Sequence, residues 1–250
     1  MANSITIKTL QELDSLRRAG KTLSAVVKDI KRSLKIGMTT RMVDELADRL
    51  MREKGAVPAF KGYRGFPGSA CVSVNNEVVH GIPGDRIIKE GDIVSVDVGI
   101  VLDGFYSDTA FSVGMGKVDA KLKKLLEVTE EALRLGIAQA RVDNHLSDIS
   151  HAVQKFVEGQ HFSVVRDFVG HGIGRKLHED PEIPNFGPPH QGPVLKEGMV
   201  LAIEPMVNLG TWQTKVLEDG WTVVTADGKH SAHFEHTVAV TEKGPEILTQ

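Results

Sequence analysis

A chain of 250 residues with 41% hydrophobic side chains is long enough to bury a core of its own, and its net charge of -3 gives no overall field that would favour nucleic acid or an anionic membrane surface. Cys71 is the only cysteine, which excludes an intramolecular disulfide and predicts a reducing, cytoplasmic location. We also expect neither a signal peptide nor a membrane span, because no segment has an apolar run of the necessary length.

Two helices are predicted at the start of the chain. Thr9 and Glu12 form a capping-box pattern, and leucine, valine and isoleucine then recur at helical spacing as far as Leu34. A second helix is expected to begin near Thr39 or Thr40 and to stop at Gly55, since glycine commonly ends helices.

Strand signals follow from Ala70 onward. Residues 71–83 predict a hairpin around Asn75-Asn76, and residues 92–113 predict another around Asp103-Gly104. Two amphipathic helices are expected over 122–140 and 146–159, and strands resume near Val164. The predicted order is helices, strands, helices, strands.

This order suggests a duplication. KEGDIVSVDVG (89–99) matches KEGMVLAIEPM (196–206), SDTAFSV (107–113) matches FEHTVAV (234–240), and VVHGI (78–82) matches VGHGI (169–173). We therefore predict a pseudo-two-fold symmetric α+β fold in a single catalytic domain, with its site between halves of roughly 1–114 and 115–250.

The matched segments pair acidic residues. Asp97 corresponds to Glu204 and Asp108 corresponds to Glu235, while His80 corresponds to His171. Each acid lies in an apolar, strand-like run, where an ionised carboxylate needs a partner.

The hairpin geometry brings two of these acids together. With a two-residue turn at Asp103-Gly104, Asp97 faces Ala110 and Asp108 lies on its diagonal, on the same face of the sheet, whereas a turn one residue earlier would put the two acids directly opposite each other. A salt bridge or a turn cap could explain one such acid, but like charges this close favour a cation.

His171 adds an imidazole to the four carboxylates, although a loop-packing role is the simpler alternative for a single histidine. Four carboxylates balance two divalent cations, and mixed carboxylate and imidazole ligation suits Mn, Fe, Co or Zn. Paired metals of this kind recur in hydrolases.

The ordered set of segments resembles a known family, the bacterial type I methionine aminopeptidases. The resemblance rests on FKGYRGFPGSACVSVNNEVVHGIP, GDIVSVDVG, FYSDTAFSVG, GHGIGRKLHEDPEIPNFG, LAIEPM and EDGWTVVTADGKHSAHFEHTV. It implies the pita-bread fold, with antiparallel sheets covered by helices, and removal of the initiator methionine from nascent chains whose second residue is small.

The resemblance also implies roles for individual residues. Two divalent ions (Co, Mn, Fe or Zn) would be held by five of them: Asp97, Asp108, His171, Glu204 and Glu235. Glu204 would also accept a proton from the attacking water, His178 would contact the substrate carbonyl, and His80 would lie near the scissile nitrogen. Without the resemblance, loop packing explains either of these two histidines equally well.

A methionine pocket is implied as well, with substrate-binding residues Tyr63, Phe66, Cys71, His80, Leu177, His178 and Trp221. Soft and apolar side chains suit a thioether, although Trp221 could instead be plain core. Several family members have an aromatic residue where Leu177 stands and tyrosine where Phe66 stands, which bears on the shape of the pocket.

The remaining histidines are interpreted as structural. His236 should point away from the face that carries Glu235. His145, His151, His161 and His190 are expected to have no acidic cluster nearby, and no histidine–asparagine pattern supports Cys71 as a nucleophile.

Two alternatives remain open. Proline-specific aminopeptidases and prolidases share the metal set, but they generally carry an extra amino-terminal domain that this chain is expected to lack. A non-catalytic relative that contacts ribosomes or RNA would lose ligand residues, and we expect neither nucleic-acid specificity nor a membrane partner. The resemblance implies a monomer, with possible contact to the ribosome.

Overall fold

The computed structural model describes residues 5–250. Four α-helices lie in this part of the chain: α1 (Leu10–Ser33), α2 (Thr40–Glu53), α3 (Ala120–Ala138) and α4 (Leu146–Gly159). The strands are β1 (Val57–Pro58), β2 (Ala70–Val74), β3 (Glu77–Val79), β4 (Ile93–Leu102), β5 (Phe105–Gly114), β6 (Ser163–Val164), β7 (Gly170–Gly172), β8 (Glu179–Ile183), β9 (Val200–Ile203), β10 (Met206–Asn208), β11 (Thr214–Val216), β12 (Val223–Thr225), β13 (Ser231–His233), β14 (His236–Thr241) and β15 (Gly244–Ile247).

The two amino-terminal helices are confirmed with their caps. Thr9 is the N-cap of α1, and its hydroxyl accepts from the backbone of Glu12, whose carboxylate in turn accepts from the backbone of Thr9. Thr39 caps α2 in the same way through the backbone of Met42. Leu10 is the first residue of α1 and is 76% exposed.

Two larger antiparallel sheets carry the fold. In the first, β4 pairs with β5 along one edge and with β1 and β2 along the other. In the second, the strand order is β15-β14-β9-β7-β8. The predicted order of helices, strands, helices, strands is thereby confirmed. The β4–β5 hairpin lies at the centre of the first sheet, and the β9–β14 pair lies at the centre of the second.

The strand pairing predicted for the hairpin around Asn75-Asn76 is wrong. The turn exists, with Asn75 at φ 62°, but β2 pairs with β4 whereas β3 pairs with β12. All five residues of β2 are buried, so both faces of this strand are covered although it ends the order of its sheet.

The two sheets meet where β5 runs beside the residues that precede and begin β14. Glu235 N–H donates to Ala110 O at 3.0 Å, and Thr109 Oγ1 donates to Glu235 O at 2.6 Å. Buried side chains from both sheets and from the helices form a shared core that includes Leu23, Val96, Leu201 and Val238. The halves therefore join through a continuous, hydrogen-bonded seam. Across residues 5–250, no helix combines the length and apolar character needed to span a bilayer.

Candidate metal centre

The β4–β5 hairpin positions the first two acids as predicted. Asp97 pairs with Ala110 and Asp108 pairs with Gly99, so the two carboxylates lie diagonally on one face. Both side chains are buried, Asp97 being 9% and Asp108 4% exposed. The turn at Asp103-Gly104, where both residues have positive φ, fixes this register.

The second half supplies its acids from positions just outside two paired strands, whereas Asp97 and Asp108 lie within theirs. Glu204 follows β9 directly, and Glu235 precedes β14. His236 pairs with Ile203, so the next positions along this antiparallel pair bring Glu204 and Glu235 opposite each other. His171 lies in β7 and pairs with Ala202, beside the same end of β9.

The seam brings the two sets of acids together. The Asp108 backbone N–H donates to Thr237 Oγ1 at 3.0 Å, and that hydroxyl donates back to Asp108 O at 2.7 Å. Asp108, His171 and Glu235 each present a possible ligand atom within 4.8 Å of the others. The Asp108 carboxylate of the first half thus lies beside the Glu235 carboxylate and the His171 imidazole of the second half.

Burial strongly disfavours charge on these acids. It raises the pKa of Asp97 from 3.8 to about 7 and that of Glu204 from 4.5 to about 7. The pKa values of Asp108 and Glu235 are raised well above their ordinary values, first by burial and then by the neighbouring carboxylates. Four acids this close cannot all ionise without a compensating cation.

The donor atoms fit such a cation. Asp97 Oδ1, Asp108 Oδ1 and Glu235 Oε1 are buried without a hydrogen-bond partner among the described residues. His171 directs Nδ1 to Gly172 O at 2.9 Å, which leaves Nε2 free at 3.5 Å from Glu204 Oε1. Carboxylate oxygens with one imidazole are a donor set for divalent transition metals.

A cavity of about 150 Å³ opens over these acids. Every residue expected to bind metal or substrate lines this cavity: Tyr63, Phe66, Cys71, His80, Asp97, Asp108, His171, Leu177, His178, Glu204, Trp221 and Glu235. Cys71 reaches it because β2 places Cys71 opposite Asp97. Phe66 and Trp221 meet edge to face, with ring centroids 5.2 Å apart. A wider groove of about 680 Å³ shares His171 and His178 with the cavity and opens outward.

The two histidines with expected catalytic roles, His80 and His178, both line this cavity. Burial lowers the pKa of both His80 and His178 to about 4, so both rings are neutral near pH 7. His178 Nδ1 lies 2.8 Å from the Tyr63 hydroxyl. His80 has φ 59° and its ring packs edge to face against Phe168 at 5.6 Å and Trp221 at 6.1 Å.

Sequence reasoning missed His233. This side chain is 1% exposed, and its Nε2 lies 3.5 Å from Glu204 Oε2. The available signal was the spacing His233-Phe234-Glu235, since residues two apart in an extended segment share a face. His236, by contrast, turns away as predicted and bonds through Nδ1 to Thr249 Oγ1 at 2.8 Å.

His145 and His190 were expected to have no acidic cluster nearby, and the fold brings both of them to a single acid, Asp148. His190 is 42 positions from Asp148 in the chain, so only the tertiary contact reveals this proximity.

Comparison with known proteins gives a consistent result. The model of metallopeptidase family M24 matches residues 14–242. Methionine aminopeptidase 1 of Bacillus subtilis is 54% identical over 246 residues, covering 98% of this chain and 99% of that protein. The crystal structure of methionine aminopeptidase from Thermotoga maritima superposes with a TM-score of 0.97 at 48% identity, covering 99% of this chain and 100% of that one.

The prolidase from Pyrococcus furiosus is more distant. It has a TM-score of 0.79 at 24% identity, covering 98% of this chain and 65% of the prolidase. This similarity concerns the fold alone.

Proposed function

The chain belongs to metallopeptidase family M24, and we propose that it is a methionine aminopeptidase that removes the initiator methionine from proteins whose second residue is small. The observation that carries this proposal is the cavity of about 150 Å³, in which an acid and histidine cluster adjoins a pocket of soft and apolar side chains. Such a pocket suits a flexible thioether, and the adjoining acids suit peptide hydrolysis.

Five residues would hold the metal in this proposal: Asp97, Asp108, His171, Glu204 and Glu235. Their four carboxylates balance two divalent ions, drawn from Co, Mn, Fe or Zn. A bound divalent ion supplies a water of lowered pKa and polarises the carbonyl to be attacked. The buried, unpartnered oxygens of Asp97, Asp108 and Glu235 support this assignment.

The protein groups perform the proton transfers. Glu204 lines the cavity as a buried carboxylate and accepts the proton of the attacking water. His178 donates a hydrogen bond to the carbonyl oxygen as negative charge develops there. His80 also lines the cavity and assists protonation of the leaving nitrogen.

The proposal also covers the domain organisation, the substrates and the location of the protein. We infer a single catalytic domain, in which halves of roughly 1–114 and 115–250 contribute Asp97 and Asp108, and His171, Glu204 and Glu235, respectively. The substrates are nascent polypeptides with an amino-terminal methionine, and the lone buried Cys71 suits a reducing cytoplasm in which the ribosome delivers them.

A comparative peptide assay tests the function. The protein supplied with Mn²⁺ or Co²⁺ should release methionine from Met-Ala-Ser and leave Xaa-Pro peptides intact, and chelation should abolish turnover.

Glu204→Gln should reduce kcat by about 10²–10⁴-fold, the range for loss of general acid–base catalysis, whereas Glu218→Gln on the exposed surface should not. Preferential cleavage of Xaa-Pro would establish the prolidase alternative. Full turnover after chelation would overturn the metal-dependent mechanism.

A further inference from the structure

A second group of metal-ligand side chains lies outside the catalytic cavity, where α4 begins. His145, Asp148 and His190 each present a ligand atom within 4.8 Å of the other two. We propose that these three residues form a separate site for a divalent transition-metal ion such as Zn²⁺. None of them lines the catalytic cavity, so this site does not depend on the proposed function.

Asp148 is the fixed member of the site. Its side chain is 9% exposed, and its two oxygens accept backbone N–H groups, Oδ2 from His145 and Oδ1 from His190, each at 2.8 Å. These bonds hold the carboxylate in one orientation, and each oxygen retains lone-pair capacity for a ligand bond. Backbone donors that orient a ligating carboxylate are a common feature of metal sites.

The two histidines reach this carboxylate from different segments. His145 is the N-cap of α4, a position usually occupied by serine, threonine, aspartate or asparagine. His190 has φ 60°, in the left-handed region where histidine is enriched among residues other than glycine. The N-cap position of His145 departs from local preference and places an imidazole beside Asp148, as expected where function overrides local stability.

The geometry permits closure around an ion. His190 Nδ1 lies 3.1 Å from Asp148 Oδ1, and the two imidazole rings are 6.3 Å apart at an interplanar angle of 80°. The His190 side chain is 79% exposed, so its ring can turn and an ion can enter from solvent. Two imidazoles, one carboxylate and a water complete a tetrahedral set suited to Zn²⁺.

An ion here would brace the loop of residues 184–199, which connects β8 to β9 and touches the catalytic centre. The loop is already tied to α4, since Leu146 N–H donates to Pro193 O at 2.9 Å and Gln191 N–H donates to Ser147 Oγ at 2.7 Å. Nearer its start, Asn185 Nδ2 donates to the backbone oxygen of Glu204 at 3.1 Å. The positive end of the α4 dipole opposes a cation, so we expect weaker binding than at the four buried acids.

Zinc binding by the whole protein tests this site. Calorimetry and elemental analysis should count one ion fewer per chain in both His190→Ala and His145→Ala than in the unsubstituted protein. His161→Ala is the matched control, because His161 is also exposed and also has positive φ, 63°, but lies outside the cluster. Its zinc count should be unchanged.

The same comparison in a His171→Ala background separates the two sites. The His171→Ala protein should still bind one Zn²⁺ at His145, Asp148 and His190, whatever happens to catalysis, and adding His190→Ala should remove that ion. The ring signals of His145 and His190 should shift with Zn²⁺ in NMR spectra. Equal zinc counts in all variants, or a loss confined to one of the two histidine variants, would overturn the three-ligand site.

Discussion

The hydroxyl of Tyr63 lies 2.8 Å from Nδ1 of His178, and the two rings are 5.3 Å apart. Burial keeps the imidazole neutral by lowering its pKa to about 4. We infer that the tyrosine O–H donates to Nδ1, which places the ring proton on Nε2 and makes that atom a hydrogen-bond donor. Tyr63 is thus a positioning residue for the histidine proposed to bind the substrate carbonyl.

Tyr63→Phe should therefore lower kcat by about 2- to 13-fold, which corresponds to one lost hydrogen bond of about 0.5–1.5 kcal/mol. Steady-state kinetics on Met-Ala-Ser would measure this effect. Tyr106, the other of the chain's two tyrosines, gives a matched control, since it lies outside the cavity lining. A kcat for Tyr63→Phe equal to that of Tyr106→Phe would show that the contact has no catalytic role.

Metal binding should stabilise the protein more at pH 8 than at pH 5.5. Asp97 and Glu204 have pKa values raised to about 7 by burial. Without metal, acids of this kind contribute stability at low pH that is lost as pH rises from their unfolded values near 4 to about 7. A bound cation reverses this loss, because it pairs with the ionised carboxylates.

Thermal unfolding with and without Mn²⁺ at several pH values would measure the difference. The increase in Tm on adding metal should grow between pH 5.5 and 8. An increase of the same size at every pH would contradict the proposed ionisation of Asp97 and Glu204 on binding.

Gly172→Ala should disturb the strand that carries His171. An added Cβ at Gly172 would lie 2.2 Å from Asp180 O, so the backbones of β7 and β8 must separate. We expect a loss of about 1–3 kcal/mol of stability, as for overpacked sites, together with weaker metal binding.

Denaturant unfolding and metal titration would test both effects. Gly159→Ala is the control, since nothing lies within 4 Å of its added Cβ and its φ is not positive. If Gly172→Ala binds metal as tightly as Gly159→Ala, β7 does not fix the position of His171.

Thr237→Val should weaken the seam between the halves. The Thr237 hydroxyl both accepts from Asp108 N–H and donates to Asp108 O, and valine of similar shape leaves both buried groups unpaired. The expected loss of stability is about 1–3 kcal/mol. Activity should also fall, because Asp108 is displaced.

Thr241→Val provides the comparison, since its hydroxyl bonds within the β14–β15 turn, donating to Gly244 O and accepting from the Lys243 N–H. It should cost less stability and leave turnover unchanged. Equal effects of the two substitutions on turnover would show that the seam does not position Asp108.

Local patterns determined the elements that position much of the site. The Thr9 and Glu12 cap, the turn at Asp103-Gly104 and the strand alternation each depend on residues close together in sequence. They predict α1 and the diagonal placement of Asp97 and Asp108 correctly. The internal repeat then extended the prediction to Glu204 and Glu235, which lie directly opposite each other just outside β9 and β14.

Only the tertiary structure decided which distant segments meet. The approach of His233 to Glu204, the pairing of β3 with β12 and the meeting of His190 with Asp148 all join residues far apart in the chain. No local preference of either partner specifies such contacts, because they are fixed by how the two sheets and α4 pack. The sequence by itself thus determined the acids and the elements that carry them, and packing across the seam decided which side chains surround those acids.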